Sequence, residues 1–240
     1  MREILSRVRS ACQQYDMISE NDRIAVGVSG GKDSVVLLCA LAEMRKFYPV
    51  HYEVEAIILD PRFDGVENDY SALQELCEQL DVPCHIRRSE LWQVVFENRK
   101  ESNPCSLCAK MRRGILHDMA KECGCNKVAL GHHLDDAVET FFLNLFRGGS
   151  IGCFSPVTYL SRKDIYTIRP LILTKEKMVE SAVRRCNLPI VKSRCPVDKC
   201  SARQETKELV KRLESEYPSL SEKVIGAMQR GEISGWGKSE

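Results

Sequence analysis

The sequence has no excess of charge of either sign, no long apolar run and no internal repeat. Its 35 basic and 34 acidic residues nearly cancel, which leaves a formal net charge of +1. This balance excludes a uniformly basic nucleic-acid binder, although a local basic patch could still hold RNA. No apolar run is long enough to span a bilayer, and no signal or transit peptide is visible. We therefore expect a cytoplasmic protein without a membrane partner.

The composition is otherwise that of an ordinary globular protein. Of the 240 residues, 43% are hydrophobic and 29% are charged, so a sizeable core can form. Apolar, β-prone runs alternate with helical patterns, which predicts βαβ units and an α/β fold with a parallel sheet. The predicted strands lie at about 23–28, 52–59, 84–88, 127–130 and 165–168, and the predicted helices at about 2–18, 35–46, 66–80, 104–121, 137–146, 175–186, 202–216 and 219–229. The predicted units are an N-terminal helix (1–19), a parallel-sheet α/β domain (20–200), and C-terminal helices with a polar tail (201–240).

The most informative stretch joins the first predicted strand to the helix that follows it. The apolar run 23–28 ends at Ser29-Gly30-Gly31-Lys32-Asp33-Ser34, after which a helical pattern begins. The two glycines let the backbone approach a ligand closely, because no Cβ stands in the way. The free N–H groups of the helix N-terminus and the two serine hydroxyls then face an anion. The loop is predicted to bind phosphate, and the alternative is a glycine-rich turn without a ligand.

Two common phosphate-binding motifs are absent from this loop. The Walker motif requires Gly, four spacers and Gly-Lys-Ser/Thr, and the dinucleotide fingerprint requires Gly-x-Gly-x-x-Gly. Residues 29–34 instead resemble the pyrophosphate loop of the ATP pyrophosphatases, which cleave ATP between the α- and β-phosphates. The resemblance implies a Rossmann-like fold of the adenine nucleotide alpha hydrolase type and ATP as the cofactor.

Four of the twelve cysteines have a spacing that suggests chemistry. With no mark of secretion, a disulfide framework is not expected. Cys105 and Cys108 form a Cys-x-x-Cys at a predicted helix start, where the helix dipole favours thiolates. Cys195 and Cys200 lie in a later loop. If the fold brings the two pairs together, four thiolates suit a tetrahedral zinc site, whereas three suit a cubane iron–sulfur cluster with one open iron. The spacing leaves both alternatives open.

A second polar turn follows the predicted strand at 127–130. Gly131-His132-His133-Leu134-Asp135-Asp136 places two carboxylates between that strand and a helix. Asp135 and Asp136 could hold Mg²⁺ on the phosphates of ATP, or they could only complement the helix N-terminus. Because ligands collect at the carboxyl ends of parallel strands, the metal-binding interpretation is favoured beside the loop at 29–34.

Three motifs in this order resemble the tRNA 2-thiocytidine synthetases. They are Ser29–Ser34, Pro104-Cys105-Ser106-Leu107-Cys108 with Arg112-Arg113-Gly114, and Ala129–Asp136, and the match is extended by Glu139-Thr140, Asn144-Leu145-Phe146 and Ile168-Arg169-Pro170-Leu171. The likeness covers roughly residues 20–205. It implies an enzyme in which ATP adenylates the C2 oxygen of a cytidine in the tRNA anticodon loop. Sulfur then replaces AMP, and a [4Fe-4S] cluster held by three cysteines takes part.

The resemblance implies roles for residues around the nucleotide. Asp33, Lys32 and Asp135 are the predicted catalytic residues, and Lys32 would offset the charge of the leaving pyrophosphate. The predicted cofactor-binding residues are Val28, Ser29, Gly30, Gly31, Ser34, Leu59, Gly131 and Asp136. Basic residues near the cysteines are candidates for contacts with tRNA phosphates, with a solvated charged face as the alternative for each. They are Lys110, Arg112, Arg113, Lys192, Arg194 and Lys199.

The resemblance also implies a metal site and partners. Cys105 and Cys108 match the first two cluster ligands. Cys195 is taken as the third, with Cys200 as the alternative, because the chain has Cys-x₄-Cys where the family has a second Cys-x-x-Cys. The implied partners are tRNA and a sulfur donor, either sulfide or the product of a cysteine desulfurase, and a homodimer is left open. Two other functions remain: a 2-thiouridine synthetase with the same mechanism, and a zinc-stabilised nucleotide- or RNA-binding protein without turnover.

Overall fold

The computed structural model describes residues 1–98, 104–195 and 202–237, which form one six-stranded sheet with helices on both faces. The strands are β1 (Asp22–Gly27), β2 (Tyr52–Asp60), β3 (Cys84–Arg88), β4 (Lys127–Ala129), β5 (Val157–Leu160) and β6 (Ile165–Ile168). Their order across the sheet is β3-β2-β1-β4-β6-β5. Every neighbouring pair is parallel except β5 and β6, which are antiparallel. The predicted α/β fold with a parallel sheet is confirmed.

The described residues also form eight α-helices. These are α1 (Arg2–Gln14), α2 (Lys32–Met44), α3 (Ser71–Gln79), α4 (Pro104–Glu122), α5 (Leu134–Gly148), α6 (Glu176–Cys186), α7 (Ala202–Glu216) and α8 (Leu220–Arg230). Among the residues described, no helix has both the length and the apolar character needed to cross a membrane.

The strand order brings two turns together at one edge of the sheet. Helices α2, α3 and α4 connect the parallel strands from β1 to β4 in turn, and β1 lies between β2 and β4. The connection after β1 therefore leads to its neighbour β2, whereas β4 is the neighbour of β1 on the opposite side. Turns that follow neighbouring parallel strands at such a switch point enclose a crevice, the usual ligand site of these folds. The turns are those at residues 29–34 and 131–133.

Apolar residues alternate between two cores on opposite faces of the sheet. In β1, Ile24 and Val26 belong to the larger core, whereas Ala25 belongs to the smaller one. Helix α2 is buried along almost its whole length in the larger core, which explains why its sequence is apolar on all sides. Helix α4 covers the other face through Met119 and Ala120. Within the described residues, the helical side chains of the smaller core all come from α4.

The C-terminal residues return to the larger core. Trp236 is fully buried there, its Nε1 donates a hydrogen bond to the Phe154 carbonyl at 2.9 Å, and its ring meets Tyr15 edge-on. Ile225 and Met228 of α8 belong to the same core. Helices from the predicted segment 201–240 thus share a core with the nucleotide-binding region, and the division at residues 19 and 200 stays a prediction.

The structure differs from the predicted elements in three places. Helix α1 ends at Gln14, before the predicted position 18, and strand β5 was not predicted. Helix α3 begins at Ser71 instead of about residue 66 because the preceding loop folds around a buried carboxylate. Asp60 accepts backbone N–H groups from Arg62 at 3.0 Å and from Asn68 at 2.9 Å. These bonds keep residues 61–70 out of the helix.

Candidate nucleotide and cluster site

Residues 29–34 form a turn that is held by its own two serine side chains. The Ser34 Oγ accepts the Ser29 N–H at 3.1 Å and donates to the Gly31 carbonyl at 2.9 Å. The Ser29 Oγ accepts the Gly31 N–H at 3.3 Å. Gly30 has a φ of 85°, in the left-handed region that favours glycine. Hydrogen bonds within the turn thus fix its shape without a ligand.

Helix α2 begins at Lys32, within this stretch, and has an open N-terminus. Gly31 occupies the N-cap position in extended backbone, and within the described residues no side-chain hydrogen bond caps the helix. The first N–H groups of a helix lack partners inside the helix, and the macrodipole adds positive potential there. Because α2 is 13 residues long and uncapped, its N-terminus suits a phosphate.

Lys32 keeps a positive charge beside this turn. Its Nζ lies 3.0 Å from Asp33 Oδ1 and 3.0 Å from Glu176 Oε1, and Lys207 Nζ lies 2.7 Å from Glu176 Oε2. Burial alone would raise the pKa of Glu176, but hydrogen bonds from Lys207 and Lys32 lower it to about 2. Burial would likewise lower the pKa of Lys32, but Asp33 and Glu176 raise it. The ammonium group is therefore charged, and in this structure it is paired with Asp33 and Glu176.

The turn after β4 approaches residues 29–34 so closely that a side chain at position 131 would be crowded. A Cβ on Gly131 would lie 3.0 Å from the Asp33 carbonyl carbon and 3.1 Å from the Ser34 nitrogen. Both atoms belong to the backbone, so they cannot move aside without disturbing the turn at residues 29–34, which we call the phosphate loop. Gly131 therefore lets the ends of β1 and β4 form one continuous site.

A cavity of about 500 Å³ lies at this edge of the sheet, a size typical of small-molecule sites. Its apolar side chains are Val28, Ile57, Leu59, Ala109, Leu116 and Leu130, and its polar ones are Ser29, Asp33, Ser34, His132, Asp136, Arg112, Arg113 and Arg169. The structure thus brings together most of the predicted nucleotide residues: Val28, Ser29, Asp33, Ser34, Leu59, Gly131 and Asp136. Gly30, Gly31 and Lys32 belong to the adjoining turn, and Asp135, Cys105, Cys108 and Cys195 do not line the cavity.

The two carboxylates after β4 have different surroundings. Asp136 and His133 cap α5 reciprocally: Asp136 Oδ2 accepts the His133 N–H at 2.9 Å, and His133 Nδ1 accepts the Asp136 N–H at 3.3 Å. Asp136 Oδ1 also accepts Arg203 Nη2–H at 2.9 Å. Asp135 Oδ2 accepts the Glu176 N–H at 2.6 Å, at the start of α6. Of the two, Asp136 lines the cavity and Asp135 joins α5 to α6.

The carboxylates of the cavity fit a magnesium ion on the phosphates. Asp33 and Asp136 both line the cavity, next to the open N-terminus of α2. Carboxylate oxygens are hard ligands that Mg²⁺ prefers, and Mg²⁺ commonly takes one or two of them together with substrate phosphates. These residue types suit an ATP-bound magnesium ion, and in this structure Asp33 is paired with Lys32 and Asp136 with Arg203.

The three cysteines predicted as ligands are neighbours. Cys105 and Cys108 lie on the first turns of α4, and together with Cys195 they are free thiols. Burial raises the pKa of Cys108, Arg112 lowers it, and Cys195 and Cys105 raise it further. Cys195 and Cys105 are thus both close enough to Cys108 to act on its charge. Cys200, the alternative third ligand, lies outside the described residues.

The segment that carries Cys195 lies against the phosphate loop. The Val191 N–H donates to the Gly30 carbonyl at 3.0 Å. A Cβ on Gly30 would lie only 2.8 Å from the Val191 Cβ. On the opposite side, Arg112 lines the cavity one helical turn after Cys108. The thiols therefore stand beside the cavity and not at a remote position.

The donor set of these cysteines fits an iron–sulfur cluster. Clusters bind thiolates; burial raises the pKa of the Cys108 thiol, and the Arg112 guanidinium opposes this shift. Within residues 1–98, 104–195 and 202–237, no three His, Cys, Asp or Glu side chains are grouped to hold one metal ion. Cys105, Cys108 and Cys195 are thus neighbouring soft donors that do not close on a single ion.

Two residues of the site were missed by sequence reasoning. Glu176 pairs with Lys32, although it lies far away in the chain at the start of α6, and no sequence signal indicated this. Arg169 follows β6 and lines the cavity with only 8% of its surface exposed. It belongs to the motif at 168–171, and its place after a predicted strand is the signal that could have identified it.

These features define a nucleotide-binding α/β protein with a preformed phosphate loop and a group of thiols beside the nucleotide cavity. The PP-loop domain family matches residues 3–205. The chain is 37% identical over 230 residues to the tRNA-cytidine(32) 2-sulfurtransferase of Pelobacter propionicus, covering 95% of this chain and 85% of that protein. A protein of the same name from Geobacter sulfurreducens is 36% identical over 232 residues, with 95% and 89% covered. The chain belongs to the PP-loop family and, within it, to the family of the tRNA 2-sulfurtransferases.

Solved structures agree with this assignment. The U34-tRNA thiolase NcsA from Methanococcus maripaludis, solved with its [4Fe-4S] cluster, superposes with a TM-score of 0.77 and 26% identity, covering 95% of this chain and 77% of that one. The NH₃-dependent NAD synthetase from Campylobacter jejuni superposes with a TM-score of 0.52 and 16% identity, covering 98% and 96%. The second likeness concerns the fold alone. The resemblance predicted from the motifs is confirmed at the level of the family.

Proposed function

We propose that the protein is an ATP-dependent tRNA sulfurtransferase that adenylates the C2 oxygen of a cytidine and replaces this oxygen with sulfur. The observation that carries the proposal is the placement of three neighbouring thiols beside a cavity with a preformed phosphate loop. The names of the relatives support tRNA cytidine 32 as the substrate. The cluster in the Methanococcus thiolase supports iron–sulfur chemistry at the cysteines.

In the first step the chain would hold ATP for attack at the α-phosphorus. The apolar part of the cavity accommodates adenosine, and the turn at 29–34 with the N-terminus of α2 holds the terminal phosphates. Lys32 offsets the charge that develops on pyrophosphate, and Asp33 with Asp136 would hold Mg²⁺, which neutralises phosphate charge when bound. The C2 oxygen of the base bonds to the α-phosphorus as the bond to pyrophosphate breaks.

In the second step sulfide would replace AMP. Cys105, Cys108 and Cys195 would hold a [4Fe-4S] cluster, which supplies an iron without a protein ligand for binding sulfide. Sulfide bonds to C2, the bond from C2 to oxygen breaks, and AMP leaves with the electron pair while the sulfide proton passes to solvent. Arg112 and Arg113, which line the cavity on α4, orient the tRNA through its phosphates. Holding sulfide next to the adenylated base increases the rate of the second step.

Iron, acid-labile sulfide and zinc content of anaerobically purified protein tests the cysteine assignment. We expect near-stoichiometric iron and sulfide in the wild type, and loss of both in Cys105→Ala and Cys195→Ala. Cys186→Ala is the matched control, because Cys186 is an exposed free thiol on α6. Zinc that resists replacement by iron and sulfide would contradict the cluster and make the cysteines structural.

Mass spectrometry of tRNA nucleosides tests the reaction itself. With ATP, Mg²⁺, sulfide and tRNA, we expect 2-thiocytidine together with AMP, and neither product from Asp33→Asn. A transcript with uridine in place of cytidine 32 should stay unmodified. Production of 2-thiouridine would instead favour the uridine thiolase alternative, and tRNA binding without any AMP would favour a binding module without turnover.

A further inference from the structure

Arg169 is a buried cation in the cavity wall. It follows β6, and 8% of its surface is exposed. Its Nη1 donates to the Ser155 carbonyl at 2.6 Å and to Thr158 Oγ1 at 3.3 Å, and its guanidinium lies 5.1 Å from the centre of the Phe154 ring. These neutral partners fix the side chain in place without neutralising it.

The charge of Arg169 has no acidic partner in the described part of the chain. Its Nε is buried without any hydrogen-bond partner there. Burial lowers the pKa of Arg169 to about 10. Cys153 opposes this shift, and Arg113 adds to it. Burial also raises the pKa of the Cys153 thiol to about 12, so this neighbour is neutral at pH 7. A buried charge with no counter-charge is costly, and an anionic ligand would remove the cost.

His132 lies in the same part of the cavity as Arg169. Its Nδ1 is buried without a partner in the described residues, and its ring lies 4.9 Å from that of Phe154. Burial lowers the pKa of His132 to about 4, and Arg169 contributes to the shift. The imidazole is therefore neutral at pH 7 and does not compete with Arg169 for an anion.

The strand order places Arg169 away from the terminal phosphates. The phosphate loop follows β1, whereas Arg169 follows β6, two strand spacings or roughly 10 Å across the sheet. The apolar residues Val28, Ile57 and Leu59 take the side of β1 and β2. A base that attacks the α-phosphorus would reach it from the side of β4 and β6, where His132 follows β4 and Arg169 follows β6. Arg169 stands on that side.

We propose that Arg169 binds a nonbridging oxygen of the nucleotide's α-phosphate, the group that the base receives and later releases as AMP. The inference rests on the proposed function and adds a residue to it. Arginine suits this role because its planar fork matches phosphate oxygens and stays charged when buried. A backbone phosphate of tRNA has the same chemistry, so the test separates these two sources.

Nucleotide binding without tRNA provides the first arm of the test. Calorimetry would compare AMP with adenosine, which lacks the phosphate, for the wild type, Arg169→Gln and Arg169→Lys. We expect Arg169→Gln to weaken AMP binding 10- to 100-fold and leave adenosine binding unchanged, with Arg169→Lys intermediate. Arg162→Gln is the matched control, because Arg162 is exposed on the turn between β5 and β6. If Arg169→Gln does not fold, the comparison rests on Arg169→Lys, for which a fivefold loss of AMP affinity is expected.

Binding of tRNA without nucleotide provides the second arm. A loss of affinity confined to tRNA would overturn the assignment to the α-phosphate and give Arg169 to the tRNA backbone. Unchanged binding of AMP and tRNA in both variants would overturn the phosphate site altogether. A wild type that binds neither AMP nor ATP would instead defeat the proposed function, a result distinguishable from failure of the inference alone.

Discussion

Glu139 is a carboxylic acid whose ionised form is poorly stabilised. It lies on α5 with 5% of its surface exposed, and Arg203 Nε on α7 is 3.6 Å from its Oε2. Burial raises the pKa of Glu139 to about 7, although Lys207 and Arg203 oppose the shift. In the folded protein this carboxyl therefore takes up its proton near neutral pH, far above the range of an exposed glutamate.

The raised pKa of Glu139 makes stability depend on pH. In the unfolded chain, Glu139 has the ordinary pKa of a glutamate. The raised pKa of the folded protein therefore contributes stability that is fully present below the ordinary pKa, and this stability is lost as the pH rises through about 7. Glu139→Gln should therefore be more stable than the wild type at pH 8, by on the order of 2 kcal/mol, with a much smaller difference at pH 4.5. Urea unfolding at the two pH values measures this.

The control for this prediction is Glu75→Gln on α3, where the side chain is exposed. Its effect should stay within about 0.5 kcal/mol at both pH values. If Glu139→Gln loses stability equally at pH 4.5 and pH 8, a hydrogen bond of the carboxyl would outweigh its charge, contrary to our expectation.

At the scale of elements, the segment 188–195 joins the phosphate loop to the thiols. It begins after α6, contacts Gly30 through Val191 and ends at Cys195. Helix α7 binds the same region from the other side, because Arg203 pairs with Asp136. The third proposed ligand thus lies four residues after a contact with the phosphate loop. Its position should depend on the shape of the loop.

Gly30→Ala tests this dependence. The new Cβ would strain a residue with φ of 85° and would lie 2.8 Å from the Val191 Cβ. The backbone of the loop or the segment 188–195 must then shift, so we expect iron content and ATP affinity to fall together, each at least fivefold. Metal analysis and calorimetry on the same preparation would check this.

Gly149→Ala is a matched control for Gly30→Ala. Gly149 also has a positive φ, 58°, but a Cβ there would meet nothing within 4 Å. This substitution should cost roughly 1 kcal/mol of stability through the backbone alone and leave metal content unchanged. Loss of ATP binding with normal iron in Gly30→Ala would show that the segment does not transmit the disturbance to Cys195.

The sequence predicts those elements whose signals are local. The turn at 29–34 and the turn after β4 were predicted because glycines and polar residues interrupt apolar runs at both places. Strand β5 was missed because Val157–Leu160 is a four-residue edge strand with no buried residue, so its apolar pattern is weak. The late start of α3 was missed because it depends on the buried carboxylate of Asp60, which only the folded loop reveals.

At the scale of the whole molecule, the C-terminus supports the cavity. The sequence suggests a polar tail after 229, yet Trp236 fills the larger core and donates to the Phe154 carbonyl. The Phe154 ring in turn contacts His132 and Arg169. This chain of contacts joins residues separated by about eighty positions, so no local pattern could predict it. The same is true of the pairing between Lys32 and Glu176.

Trp236 should accordingly affect both stability and nucleotide binding. Trp236→Ala removes a fully buried side chain, and we expect it to lower the free energy of unfolding by roughly 3–5 kcal/mol. Trp236→Phe keeps much of the apolar contact but leaves the Phe154 carbonyl without its donor, which should cost about 1–2 kcal/mol. Urea unfolding measures both changes.

The milder variant separates support of the cavity from general loss of stability. Because Phe154 packs against Arg169, a shift of its backbone should weaken AMP binding by Trp236→Phe severalfold while adenosine binding changes little. Tyr217→Phe serves as the control, since this side chain is 57% exposed. If Trp236→Phe is destabilised but binds AMP like the wild type, the C-terminus stabilises the core without positioning Arg169. A selective loss of AMP affinity would extend the phosphate site from the cavity wall to the end of the chain.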